Sequence, residues 1–338
     1  MSFAAIIGQT EVKKRLGAAL AGNPGHAYIL IGPRGIGRRT MARAFAKALL
    51  CHNRIGQDAC DQCPACRYWN AGSHPDYRIL ELAGKEKVIP VERVRQAVCA
   101  DINLRPQFGP RKVYLITADD LNEQGQNALL KSLEEPPDYA VFLLTARDPA
   151  HLLPTIVSRS SLIRLSRLQP AEIGRILTAA GLDQAGDAAF CARFAGGVPG
   201  VALDLARQDW FGELRRETLA FYSQLPQASR AFLLTGGYAF FEGNRAHITD
   251  LLAILGSLIR DQLLLLTGGD QALLANPDQL TSLSELIKPY RSAADGRTRL
   301  IRAHSAILAA RRGLELNASF EGLACNLLLV LRKELSYA

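Results

Sequence analysis

Three short runs of unbroken apolar residues punctuate the first half of the chain: Ala27-Tyr28-Ile29-Leu30-Ile31, Val113-Tyr114-Leu115-Ile116 and Ala140-Val141-Phe142-Leu143-Leu144. Each is rich in branched or aromatic residues and runs into a polar turn. Strands of a parallel sheet covered on both faces read this way, because neither face faces water. Apolar positions recur at helical spacing over residues 10–20, 39–50, 90–100 and 121–133. Strands alternating with helices in this order predict an α/β domain, a parallel sheet with helices on both sides.

The strand pattern stops near residue 166. Pro170 stands where a helix would begin, and Ala171-Glu172-Ile173-Gly174-Arg175-Ile176-Leu177 continues it. Gly181, Gly196-Gly197 and Pro199-Gly200 punctuate short helices up to about Arg207. From Trp210 onward the chain reads as long apolar helices, residues 251–266 and 323–335 among them, with breaks at Gly268-Gly269 and Asn276-Pro277. The expected plan is an α/β domain over 1–165, a small helical domain over 166–207 and a larger all-α domain over 208–338. No internal repeat or low-complexity tract interrupts it.

The first apolar run leads into Gly32-Pro33-Arg34-Gly35-Ile36-Gly37-Arg38-Arg39-Thr40, which in turn opens a helical pattern. Strand, glycine-rich turn and helix together define a phosphate loop: glycines let backbone N–H groups turn inward, and the helix N-terminus adds partial positive charge. A chance glycine-rich turn would lack that framing. A working loop continues with Lys, which reaches the outer phosphates, and Ser or Thr, which binds Mg²⁺. Arg38 and Arg39 hold those places here, and a guanidinium cannot ligate a cation. Thr40 falls one residue late, about 100° further round the helix. Gly32, Gly35, Gly37, Arg38 and Arg39 therefore form an altered phosphate loop that is not expected to turn over ATP with Mg²⁺. Arg39, Arg43 and Lys47 share a face at i, i+4 spacing, read as a solvated face. An ATPase also carries acids at the end of a later strand. The second run is followed two residues late by Asp119 and Asp120, read as caps of the next helix.

Length and composition add limits. A chain of 338 residues exceeds one compact core, and 48% apolar with 21% charged residues suits an ordinary globular protein. Arg260 and Asp261 interrupt the most apolar stretch, so it reads as a buried helix rather than a membrane span. The N-terminal residues show no basic start followed by an apolar run, which gives a cytoplasmic expectation without a membrane partner. The net charge of +8 permits contact with a polyanion.

Seven cysteines without an export signal argue against a disulfide framework. Cys51, Cys60, Cys63 and Cys66 crowd together as C-x₈-C-x₂-C-x₂-C. Four thiolates close a tetrahedral Zn²⁺ site and leave no open position, which makes the role structural. An iron–sulfur cluster is the alternative metal, although its common bacterial signature continues to a further Cys-Pro that is absent. His52 and His74 lie nearby and are not needed. Cys99, Cys191 and Cys325 fall in helical patterns and read as small buried hydrophobes.

Together these residues resemble the clamp-loader subunits of the AAA+ class, over about residues 5–200. Ile6-Ile7-Gly8-Gln9 is similar to the family's segment near the nucleotide base, and His26-Ala27-Tyr28 leads into the loop. The four cysteines follow the next helix, and Ser73-His74-Pro75-Asp76-Tyr77 follows them. The stretch Asn127-Ala128-Leu129-Leu130-Lys131-Ser132-Leu133-Glu134-Glu135-Pro136-Pro137 is highly specific to the family. The resemblance implies a P-loop AAA+ domain, a small helical lid and an all-α collar. The family's ATPase subunits keep Lys and Thr in the loop, an Asp-Glu pair after the strand, and an Arg near the position of Gly200. The Thr145-Ala146-Arg147 region, near a further sensor, is also irregular.

Ser158-Arg159-Ser160 resembles the family's Ser-Arg-Cys, whose Arg reaches a neighbouring subunit's γ-phosphate. What this implies is a non-motor stator of the DNA polymerase III clamp loader that lends Arg159 in trans. Its implied partners are the tau or gamma motor subunits and the delta subunit and, through the complex, the β sliding clamp and primed DNA. Two other functions predict different behaviour. An active AAA+ ATPase motor would hydrolyse ATP alone, and a zinc-dependent DNA-binding protein would bind DNA alone with steep salt sensitivity.

Overall fold

A computed structural model describes residues 2–183 and 187–336. The chain forms two compact units. One comprises Met1–Ile176 with Gly197–Val201, the other Leu177–Gly196 with Ala202–Ala338.

The first unit holds five strands: β1 (Ala27–Ile31), β2 (Tyr77–Leu80), β3 (Lys112–Thr117), β4 (Ala140–Ala146) and β5 (Ser161–Arg164). They pair in the order β2-β3-β4-β1-β5, every pair parallel. The three apolar runs are the three inner strands. The sequence pattern missed β2 and β5, for one physical reason. Both are four-residue edge strands with Arg among their residues, and partly exposed side chains dilute the apolar run.

Helices flank the sheet: α1 (Thr10–Ala21), α2 (Arg38–Leu50), α3 (Pro64–Asn70), α4 (Val91–Val94), α5 (Glu123–Glu134) and α6 (Pro154–Ser158); α7 (Pro170–Ala179) follows in the chain. Alternation along each strand divides the core in two. Tyr28 and Leu30 of β1, Val113 and Leu115 of β3 and Val141 and Leu143 of β4 pack with Leu16 of α1 and Met41 and Phe45 of α2. Ile29, Tyr114, Ile116, Phe142 and Leu144 point the other way, onto Val94, Leu129, Leu133 and Ile156. Full burial of each such side chain stabilises by about 1.5–3 kcal/mol.

Two expected helices change shape. The 90–100 pattern forms one α-turn, α4, and then a π-helical stretch over Arg95–Ala100. The 121–133 pattern starts late because Asn122 is the cap: its side chain accepts the Gly125 N–H at 2.8 Å. Asp119 and Asp120 instead sit in a separate 3₁₀ turn, Ala118–Asp120, cut off from α5 by extended Leu121. The expectation that they cap the helix is therefore corrected.

The second unit is helical. Ile248–Leu266 buries Leu251, Ile254, Leu255, Leu258 and Ile259; Gly296–Glu315 packs against it, and Phe320–Leu335 packs in turn against Gly296–Glu315. The charges that interrupt its apolar run have local partners. Buried Asp261 accepts the Ala275 and Asn276 N–H groups at 3.0 and 2.7 Å, and Arg260 donates to the Leu273 carbonyl at 2.7 Å. Among the described residues, no helix is long and apolar enough to cross a membrane.

Candidate functional site

The glycine-rich loop lies where a phosphate loop belongs, between the C-terminal end of β1 and α2. Gly35 and Gly37 have φ of 84° and 101°, conformations that only glycine adopts cheaply. Ile36 is buried beneath the loop. The loop opens on a cleft of about 490 Å³ lined by Arg34, Arg38, Arg39, Thr40 and Asp119, among others.

Inside that cleft Asp119 is paired with two arginines. Arg38 Nη1 donates to Asp119 Oδ2 at 2.9 Å, with the two side chains 12% and 7% exposed. Asp119 Oδ1 also accepts the Arg147 N–H at 2.8 Å, and Arg147 Nε lies 3.6 Å from Oδ2. The carboxylate after β3 thus carries two guanidinium groups. Burial, and the neighbouring Asp119 charge, push the Asp120 carboxyl above its usual range. Arg39 pairs with Glu81 at the rim.

The loop is also covered from behind. The Gly200 N–H donates to the Gly35 carbonyl at 2.9 Å. A Cβ on Gly200 would stand 2.7 Å from Gly35 Cα and 2.8 Å from its oxygen. Backbone meets backbone there, with no side chain between the two glycines.

The four cysteines converge. Their sulfurs lie within 4.8 Å of one another, with Cys51–Cys60 at 3.5 Å, Cys51–Cys63 at 3.9 Å and Cys60–Cys66 at 4.0 Å. A tetrahedron with Zn–S bonds of about 2.3 Å requires S–S edges of roughly 3.8 Å, so the set fits a four-thiolate metal. The N–H groups of Gln62 and Cys63 lower the Cys60 thiol to about 6, whereas burial raises Cys51 and Cys66.

The module is tied to its surroundings. Cys51 follows the last residue of α2, and Cys63 caps α3. Lys47 is 3% exposed and pairs with Asp61 of the cysteine loop, which corrects its reading as part of a solvated face; Arg43 is exposed. Arg54 donates to the Leu20 carbonyl of α1 at 2.6 Å, and Asp58 accepts the N–H groups of Phe3 and Ala4. Of the remaining cysteines Cys191 is buried, while Cys99 and Cys325 are partly exposed.

Arg159 follows α6 and precedes β5. Ser161 pairs with Tyr28, near the start of β1, whereas the phosphate loop begins after Ile31. Arg159 and the loop therefore lie toward opposite ends of a parallel sheet, separated by about 10 Å or more of strand. The Arg159 side chain is 36% exposed, and its Nη2 lies 2.9 Å from Glu134 Oε1. Nη1 donates to the Thr155 carbonyl at 3.1 Å. Buried Gln126 of α5 fixes the preceding segment, donating to His151 O at 3.1 Å and accepting from Leu153 N at 2.8 Å. Sequence reasoning did not find Glu134, Gln126 or the Arg147–Asp119 contact, since each joins residues far apart in the chain.

A family model described as DNA polymerase III, delta subunit, matches residues 8–169. The Pseudomonas aeruginosa DNA polymerase III subunit delta' is 47% identical over 135 residues, which cover 40% of this chain and 41% of that protein. The Escherichia coli subunit delta' is 34% identical over 212 residues, 62% of each chain. The Haemophilus influenzae subunit tau/gamma is 36% identical over 178 residues, 52% of this chain and 25% of that protein. The matched regions thus span about a quarter to three fifths of these relatives. With its parallel α/β sheet and glycine-rich loop, the chain is thus similar over residues 8–169, slightly under half its length, to the DNA polymerase III subunit family. Within that family it resembles the delta-prime subunit, the name that two of these three relatives carry.

Proposed function

We propose that this chain is a stator of the delta-prime kind, a non-motor subunit that helps a clamp loader place the β sliding clamp on primed DNA. The observation that carries this reading is the Arg38–Asp119 pair. A motor subunit directs an acid after β3 toward Mg²⁺. Here a fixed guanidinium holds the Asp119 charge, so a cation would meet neither a hydroxyl ligand at position 39 nor a free Asp119 carboxylate. The Gly200–Gly35 contact supports the same reading, because it occupies the place of an arginine that would sense a nucleotide.

Arg159 is the residue this reading puts to use. Its separation from the chain's own loop suits action in trans on the ATP of an adjacent tau or gamma subunit. A guanidinium supplied there neutralises transition-state charge on the transferring phosphoryl group. Residues 166–207 would serve as the lid and 208–338 as the collar joining the motor subunits and delta. Cys51, Cys60, Cys63 and Cys66 would hold a structural Zn²⁺, and the protein would act in the cytoplasm.

Reconstitution tests the reading. The isolated chain should not turn over ATP. Assembled with motor and delta subunits, Arg159→Ala should lower ATPase activity and clamp loading. Turnover by the chain alone that is abolished by Arg38→Ala would instead establish a motor. Salt-sensitive DNA binding by the chain alone, lost in Cys63→Ser, would establish a DNA-binding protein.

A further inference from the structure

We propose that Glu134 is a positioning residue for Arg159, which gives a job to the acidic end of the Asn127–Pro137 stretch. The inference rests on the reading of Arg159 as a group that acts in trans. Glu134 is the last residue of α5, and Leu129 and Leu133 of that helix are buried in the core beside Ile156 of α6. The helix that carries the carboxylate and the helix that precedes the arginine therefore share one packed interior. Gln126, two turns earlier on α5, fixes the entry to α6 through His151 and Leu153. Backbone placement at Arg159 is settled by these contacts. What they leave open is the long side chain.

Glu134 closes that gap. Its Oε1 lies 2.9 Å from Arg159 Nη2, while Nη1 is held by Thr155 O at 3.1 Å and approaches Ser158 Oγ at 3.4 Å. A guanidinium has five N–H donors, so three acceptors leave donors over for a phosphate oxygen. The carboxylate is 45% exposed, and an ion pair in that setting is weak. Weakness suits the task, since the contact narrows the rotamers of Arg159 without trapping it. Preorganisation of this kind lowers the entropy lost when the charge is needed. Glu135, by contrast, has left the helix and lines a different cleft, with Arg95 and Lys131, so it serves as the control.

The test is steady-state ATPase kinetics of the complex assembled with motor and delta subunits. Glu134→Gln should lower kcat by about fivefold, the factor matching a half-exposed ion pair at its upper range. KM for ATP should not move, because the interaction counts only in the transition state. Glu134→Asp should recover part of the loss, and Glu135→Gln should show none. In an Arg159→Ala background, Glu134→Gln should cost nothing further. In the isolated chain, NMR relaxation of the Arg159 guanidinium should report greater mobility in Glu134→Gln. If Arg159→Ala is costly while Glu134→Gln leaves kcat unchanged or raised, the positioning role alone fails. If Arg159→Ala is silent, the trans reading fails and takes the positioning role with it. A loss in Glu134→Gln that persists undiminished on top of Arg159→Ala also overturns the proposal.

Discussion

Replacing Gly200 by alanine adds one methyl group to the contact that closes the phosphate loop. The new carbon would lie 2.7 Å from Gly35 Cα, 2.8 Å from its oxygen and 3.2 Å from its carbonyl carbon. Unstrained carbon contacts sit at roughly 3.5–4.0 Å, and every atom met is backbone, so no side chain can rotate away. Overpacking of this kind costs about 1–3 kcal/mol. Separating the two segments also stretches the 2.9 Å hydrogen bond from Gly200 to Gly35, a further loss of about 0.5–1.5 kcal/mol. Alanine returns up to about 1 kcal/mol through its helix propensity, because Gly200 lies in the Pro199–Ala206 helix and has no positive φ. The expected net destabilisation is about 1–3 kcal/mol. Urea denaturation followed by circular dichroism reads it as a midpoint lower by roughly 1 M, at slopes of about 1–3 kcal/mol per M. Gly174→Ala is the matched control, since a Cβ there meets nothing within 4 Å and should stabilise by up to about 1 kcal/mol. A Gly200→Ala protein as stable as the parent would refute the close approach, and with it the argument that a sensor arginine has no room there.

Two further outcomes follow from other parts of the first unit. Stripping metal with a thiol-competitive chelator, or Cys63→Ser, should raise hydrogen exchange over residues 3–21, which the cysteine loop holds through Asp58 and Arg54, while β3 and β4 stay protected; uniform loss of protection would contradict that local role. Asp101 is a pH-dependent strut, 2.9 Å from Lys112 Nζ and from the Tyr114 hydroxyl and 3.2 Å from Arg78. Burial works to raise its carboxyl, but the bonds from Lys112 and Tyr114 and the charge of Arg78 outweigh it and hold it below the usual value. A depressed carboxylate contributes stability that is fully present above its unfolded pKa, about 4, and is lost as pH falls through the folded value. Asp101→Asn should cost about 3 kcal/mol at pH 7 by removing the counter-charge of buried Lys112, which keeps only the Asp101 and Leu104 carbonyls, and thermal melts from pH 7 to 3 should show a shallower acid decline than the parent. An unchanged decline would remove Asp101 from the account.

The sequence by itself determined the class of the first unit. Inner strands buried on both faces must be apolar throughout, so β1, β3 and β4 showed as unbroken runs, and the glycines at 35 and 37 marked a loop whose conformation few other residues adopt. Residue type alone also decided that Arg39, where a phosphate loop ordinarily has a hydroxyl, cannot ligate a cation. The spacing of the cysteines announced a four-thiolate set. Tertiary structure decided the pairings. Arg38 with Asp119, Lys47 with Asp61, Gly35 with Gly200 and Glu134 with Arg159 are separated by 14 to 165 positions, and no periodicity encodes a contact that the fold creates. The edge strands were hidden because their exposure lets charged residues enter, and the aspartates misled because a cap is defined by where the backbone turns. The placement of Arg159 toward the end of the sheet away from the phosphate loop was likewise settled only by the parallel order of β1 and β5, and the proposed action in trans rests on that separation.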